Sequence, residues 1–270
     1  MCAASPLPPG ISEVDVVGGI RGEPVELINC ETIELKVPAT AEIVIEGEIR
    51  PNDMVDEGPF GEFTGYMSGR KSPRPVIRVK AVTHRDNPIL TASCPGIPVD
   101  DDAIFSLTKA AEILEALRAQ RKPVSSVFVP LETTHMLAIV ATTKARYPGI
   151  AEDIAHVIWS SANVGHETPC IIIVDEDVDP FNLNEVWHAL ITKCHPMKGI
   201  VRLDRATVIS IIPWLSKQEQ QNRLGAKVYF DCTWPLDWDP ADIPKRISFA
   251  QAYPLGVQQK ALDIWHKYGY

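Results

Sequence analysis

The feature that most constrains this chain is a change of hydrophobic period near residue 100. Before it, apolar and polar residues alternate in short runs: 23–30 (EPVELINC), 32–37, 41–49 (AEIVIEGEI) and 76–83 (VIRVKAVT). A period of two belongs to half-buried strands. In the last run, Val76, Arg78, Lys80 and Val82 share one face, and Ile77, Val79 and Ala81 the other. HRDNP (84–88) reads as a turn and 89–93 as a returning strand. Strands this short, broken by Pro and Gly, predict a small β-barrel or sandwich.

After residue 100 the period lengthens. DDDAIFSLTKAAEILEALRAQ opens on acidic residues that suit a helix N-terminus and repeats apolar residues at Ile104, Leu107, Ala111, Leu114 and Leu117. Strands are expected at 124–130, 136–145, 170–174 and 207–212, and helices at 149–161, 182–194 and 256–268. This alternation predicts an α/β domain closed by a helical tail. The organisation expected is 1–98, 99–122 (a connecting helix), 123–245 and 246–270.

Composition excludes several classes. The 270 residues are 45% hydrophobic with a net charge of −9, and no Lys/Arg run exceeds two residues, so phosphate neutralisation of nucleic acid is not expected. No apolar run approaches a membrane span, and the start MCAASPLPPG has neither a basic nor an apolar signal region. It reads as mid-protein sequence, which leaves room for a preceding domain. The six cysteines form no CxxC pair, and a cytoplasmic setting with reduced thiols is expected.

Between two strands lies DEGPFGEFTGY, Asp56 to Tyr66. Glu57 and Glu62 stand five residues apart across a Gly-Pro turn, with Phe60 available as an apolar wall. Two carboxylates facing one apolar pocket are a way to make an acid near neutral pH. From spacing alone, solvated loop residues are the commoner outcome. Asp175, Glu176, Asp177 and Asp179 read as solvated turn carboxylates, and His195 as a capping or interface residue. Cys194 reads as structural. Trp234 and Trp238 suit either a substrate cover or a loop anchor.

The EGPFGE string, followed by an aromatic residue and GY, strongly resembles the UbiD-type decarboxylases. So do, in the same order, 10–32 (GISEVDVVGGIRGEPVELINCET), 37–49, 75–90, 171–190, TKCHP (192–196) and DCTWPLDW (231–238). The resemblance implies an α/β (α+β) fold: a split β-barrel of flavin-reductase-like type, then a smaller α/β oligomerisation domain and a C-terminal helix. It implies reversible non-oxidative decarboxylation of an aromatic acid, hydroxybenzoate-like or of another type, or of another unsaturated acid with prenylated FMN. Glu57 would pair with a catalytic Arg, and Glu62 would be the proton donor. Glu13 would bind Mn2+ bridging protein and flavin phosphate, and 1–6 would lie near the cofactor and a K+ ion. A homo-oligomer (dimer or hexamer) and a flavin prenyltransferase as cofactor source are further implications.

The resemblance also marks departures. Members of the family are nearly twice this length. Their N-terminal region supplies the catalytic Arg, the metal-binding Asn and His, and much of the flavin-phosphate site. A Lys expected just before 170–174 is replaced here by Glu167-Thr168-Pro169. The alternative reading is therefore a truncated, non-catalytic or assembly subunit completed by a second subunit.

Overall fold

The computed structural model describes residues 10–67, 69–100 and 102–269. It divides into two units, Met1–Cys232 and Thr233–Tyr270.

The first element of the described residues is a helix that the sequence pattern did not single out: α1, Glu13–Arg21. Ser12 caps it by accepting a hydrogen bond from the Val14 amide, Glu13 and Asp15 occupy the first turn, and Gly22 ends it at φ 73°. Cap, dipole and left-handed terminator thus agree. Two antiparallel pairs follow: β1 (Leu27–Asn29) with β2 (Lys36–Pro38), and β3 (Ile43–Glu57) with β4 (Ser72–His84). Residues 89–93 form no strand. Among the described residues the pairs remain separate two-stranded sheets, with no closed barrel.

The β3–β4 ribbon is longer than expected and differently faced. The strands reach Glu57 and Ser72, so β3 runs on past the strand expected at 41–49 and β4 starts before the one expected at 76–83. Gly47 faces Val79 while Glu46 faces Ala81, which leaves Lys80 as a bulge. The bulge moves Val82 onto the face of Ile77 and Val79, with Ile45 and Ile49 opposite them. These five side chains are each more than half exposed. The other face is polar: Arg78 makes two hydrogen bonds of 2.7 Å to Asp53, and Glu48 pairs with Lys80 and Arg50. There Glu46 is buried and accepts from the amides of Glu31 and Thr32 and from the Thr32 hydroxyl. The Thr32 hydroxyl bond first, then the Glu31 amide, holds its carboxyl below the usual range.

After α2 (Asp102–Ala119) comes a sheet of five strands. The strands are β5 (Val124–Phe128), β6 (Leu137–Thr142), β7 (Cys170–Val174), β8 (Ile200–Thr207) and β9 (Leu224–Cys232). Their spatial order is β5-β6-β7-β9-β8; β6, β7 and β9 run parallel, and the edges are antiparallel. Two helices, α3 (Ile150–Ser160) and α4 (Leu183–Thr192), lie between strands in sequence. Ala138, Val140, Ile171 and Ile173 pack with Ile113 and Leu117 of α2 and Ile154 and Ile158 of α3. The alternate residues Ile139, Ala141, Ile172 and Val174 pack with Val186 and Ala189 of α4. Strands covered on both faces read as continuous apolar runs, as CIIIV does. The strand expected at 207–212 is instead β8, ending at Thr207, and α5 (Lys217–Asn222) and β9 complete the unit.

The second unit carries α6 (Phe249–Ala252) and α7 (Leu255–Ile264), the latter continued by a 3₁₀ turn to Tyr268. No residue of α7 is buried. Trp234 and Trp238 stack at 5.9 Å between ring centroids. Among the described residues, no helix is long and apolar enough to cross a membrane.

Candidate active site

The ribbon delivers the two glutamates. Glu57 is the last residue of β3, and Gly58 takes φ 83° as the chain leaves the strand. The turn then closes on itself: Gly61 bridges Met67, the Glu62 amide donates to the Tyr66 carbonyl, and the Gly65 amide donates to the Glu62 carbonyl, both at 2.9 Å. Its outer side is packed tightly. A Cβ on Gly61 would come within 2.9 Å of the Pro95 carbonyl oxygen, and one on Gly65 within 2.8 Å of the Ile97 side chain. Gly65 also requires φ 81°.

The two carboxylates have different surroundings. Glu57 is exposed, and the Nε of Arg74 on β4 lies 3.8 Å from it. Glu62 is half-buried in the turn, and Phe60 is 46% exposed. Glu13 is the first residue of α1, not a loop residue. Residues 1–6 lie outside the described residues.

Beside the turn lies a cluster that sequence reasoning missed. Phe63 meets the His135 ring edge-on, with centroids 4.4 Å apart, and Phe105 of α2 approaches it at 6.2 Å. His135 is buried, and neither ring nitrogen has a hydrogen-bond partner. Burial first, and then the charge of Lys109, lower its pKa to about 4. The buried Lys109 ammonium donates to the His135 carbonyl and pairs with Glu167 at 2.9 Å. Burial opposes the charge on Glu167, but Lys109 outweighs it and the carboxyl titrates below its usual value. Glu167, standing where the family resemblance leads one to expect a phosphate-binding Lys, is thus committed to an ion pair with the buried Lys109. Only the HML sequence at 135–137 hints at burial.

The other sequence candidates resolve as structural. Asp175 is buried, not solvated, and pairs with Arg146 at 3.0 Å and Lys193 at 3.3 Å; Lys193 also holds Asp177. His195 accepts the Met197 amide on Nδ1, a local cap. Cys194 is buried, its thiol facing the Gly199 carbonyl, and burial pushes its pKa up. A cavity of about 620 Å3 is lined by residues 29–36 and includes none of the three glutamates. Among the described residues, no group of three or more His, Cys, Asp or Glu is placed to hold a metal ion.

Comparison with known proteins covers both halves of the chain. Residues 1–98 match the UbiD family model described as the 3-octaprenyl-4-hydroxybenzoate carboxy-lyase Rift-related domain, and 102–232 match its C-terminal domain. The pyrrole-2-carboxylic acid decarboxylase of Pseudomonas aeruginosa is 30% identical over 276 residues, a match that covers 99% of this chain and 55% of that protein. Ferulic acid decarboxylase 1 of Saccharomyces cerevisiae is 31% identical over 283 residues, covering 100% and 56%. The vanillic acid decarboxylase of Sedimentibacter hydroxybenzoicus in its closed form superposes with a TM-score of 0.82 at 29% identity, covering 100% of this chain and 55% of the other. The UbiD-class enzyme HmfF of Pelotomaculum thermopropionicum, in complex with FMN, gives 0.78 at 28% identity, covering 92% and 53%. An evolved dimeric form of HmfF in complex with prFMN gives 0.71 at 28% identity, covering 92% and 51%. The chain spans about half the length of the curated relatives it matches.

Proposed function

The chain belongs to the UbiD family of carboxy-lyases, and from that premise we propose that it forms the proton-donor half of a prenylated-FMN-dependent decarboxylase. Its substrate would be an aromatic carboxylic acid, hydroxybenzoate-like or of another type, or another unsaturated carboxylic acid. The observation that carries this reading is the closed turn that displays Glu62 one residue from a buried aromatic contact, at the end of the ribbon bearing Glu57.

Loss of carbon dioxide leaves an electron pair on carbon, and prenylated FMN, when bound, supplies the electron sink that makes this loss feasible. The protein's share is placement and a timed proton. The Glu62 carboxyl releases its proton to the carbon that lost carbon dioxide; an O–H bond breaks, a C–H bond forms, and the carboxylate is reprotonated from solvent before the next turnover. Read in reverse, the same carboxylate removes the proton for carboxylation. Glu57 orients and neutralises a guanidinium beside the substrate. Arg74 already neighbours Glu57, but as an exposed pair; the family resemblance places the working Arg in the half that this chain does not span.

The residues present fit this cofactor only in part. Glu13 would offer its carboxylate oxygens to Mn2+, and the described residues assemble no shell of three or more such ligands, so the other ligands would come from elsewhere. We assign K+ to the neighbourhood of residues 1–6 by resemblance alone.

A second reading concerns assembly. A two-stranded ribbon is marginal alone in water, and this one exposes Ile45, Ile49, Ile77, Val79 and Val82 on one face. That is the inner face of a split β-barrel awaiting its remaining strands. A further half, of the length by which the relatives exceed this chain, would supply them, whether in the same polypeptide or in a second subunit. In the assembled protein we assign 1–98 to this barrel, 99–122 to the connecting helix, 123–245 to the α/β domain through which a dimer or hexamer forms, and 246–270 to a helical tail. A flavin prenyltransferase would supply the cofactor, and a cytoplasmic setting fits both.

The test is cofactor retention. The chain is mixed with prenylated FMN and Mn2+, desalted, and read by flavin absorbance, alone and after addition of the N-terminal half of a UbiD relative. Retention only with that half supports a split site, and retention by the chain alone supports autonomous binding. No retention in either mixture contradicts the assignment.

A further inference from the structure

His135 has no role in the reaction as derived above, yet it is the most unusual side chain near the turn. Its imidazole is 6% exposed and neither nitrogen is hydrogen-bonded. Burying such a group without partners is unfavourable, so its place has to be enforced by its neighbours. It follows Thr134, and both residues adopt left-handed backbone, at φ 48° and 50°. Consecutive non-glycine residues in that region are held there by their surroundings. The surroundings are visible: Lys109 of α2 donates to the His135 carbonyl at 3.3 Å and is anchored by Glu167. The backbone is thus pinned from below, and the ring is driven between Phe105 and Phe63. Phe63 directly follows Glu62.

We infer that His135 is a positioning residue, an aromatic latch that fixes the Glu62 turn to the α/β domain through Phe63. The inference rests on the reading of Glu62 as the proton donor for its functional meaning, but the mechanical claim stands apart from it. The turn's own hydrogen bonds, Glu62 to Tyr66 and Gly65 to Glu62, fix its internal shape. They do not fix its attitude to the sheet. The Phe63–His135 contact does, and edge-to-face pairing gives it a preferred angle, here 76°. The titratable groups that act on the imidazole are Lys109 and Glu167, which bind each other. A neutral ring is therefore compatible with its place between two phenyl groups.

The test is hydrogen–deuterium exchange on the full chain, read at residues 61–67 and at β6 and β7. His135→Ala is expected to speed exchange in 61–67 at least tenfold while β6 and β7 keep their protection. His135→Phe, which keeps a ring edge, is expected to restore the wild-type rate. Phe63→Ala removes the same contact from the other side and should match His135→Ala, with no further increase in the double variant. Should His135→Ala fail to fold, Phe63→Ala alone carries the test. Unchanged exchange in 61–67, an equal rise in β6 and β7, or a His135→Phe rate as fast as that of His135→Ala would overturn the latch. None of these readouts needs flavin or turnover, so a failure of Glu62 as proton donor would show in activity and leave the exchange result standing.

Discussion

Arg74 lies diagonally across the ribbon from Glu57, with Nε 3.8 Å from the carboxylate and both side chains more than half exposed. Exposed pairs of this kind contribute about 0–1 kcal/mol. Arg74→Ala should therefore shift the thermal midpoint by about 2 °C or less. A loss of many degrees would show that the pair is structural.

The His135 imidazole gives stability a defined pH dependence. Its folded pKa of about 4 lies below its ordinary value of 6.5, so the unfolded chain binds the extra proton first. This contribution is whole above pH 6.5 and is lost as pH falls towards 4, with an upper limit of about 3 kcal/mol. Glu167, also lowered, adds a loss of the same sign as pH falls through its folded value. Denaturant midpoints from pH 7 to pH 4 should fall less steeply in His135→Phe than in wild type. Parallel curves would contradict a buried neutral imidazole.

Lys109 is buried against Glu167, so removing the carboxylate takes a counter-charge from a buried ammonium. Glu167→Gln should destabilise by about 2–4 kcal/mol, reduced from the buried-pair range because Glu167 is partly exposed. Lys109→Met with Glu167→Gln should recover much of the loss. Urea unfolding of the single and double variants measures both.

The open ribbon face makes a different demand. Ile49→Asp and Val79→Asp alter exposed side chains, so they should leave the thermal midpoint of the chain within about 2 °C while reducing self-association in light scattering. They should also abolish assembly with an N-terminal half. Severe destabilisation of the chain alone would mean that the face is already covered.

How much of this was legible from sequence depended on whether a residue's environment is set locally. CIIIV and the α2 and α3 patterns were readable because one periodicity fixes both element and burial. The DEGPFGE string located the segment that leaves β3, but the hydrogen-bonded turn closes just beyond its Gly-Pro pair, at 61–67. Helix α1 was missed because EVDVVGGIR is short, β-branched and carries two glycines, and its cap outweighs poor propensity. The PND sequence at 51–53 looks like a turn, but Asn52 at φ 63° lets the ribbon continue through it. The Lys80 bulge reversed the expected facing of Val82, which a strict period of two does not anticipate. His135 and Lys109 were invisible because their partners lie 26 or more residues away in sequence.

Glu62 is proposed to deliver the proton. The most direct measurement of this is turnover of the flavin-loaded assembly in deuterated buffer, with Glu62→Gln beside wild type. The expected result is flavin retained in both, with turnover and deuterium exchange at the product carbon lost in Glu62→Gln. Unimpaired exchange in that variant, with flavin bound, would contradict the account.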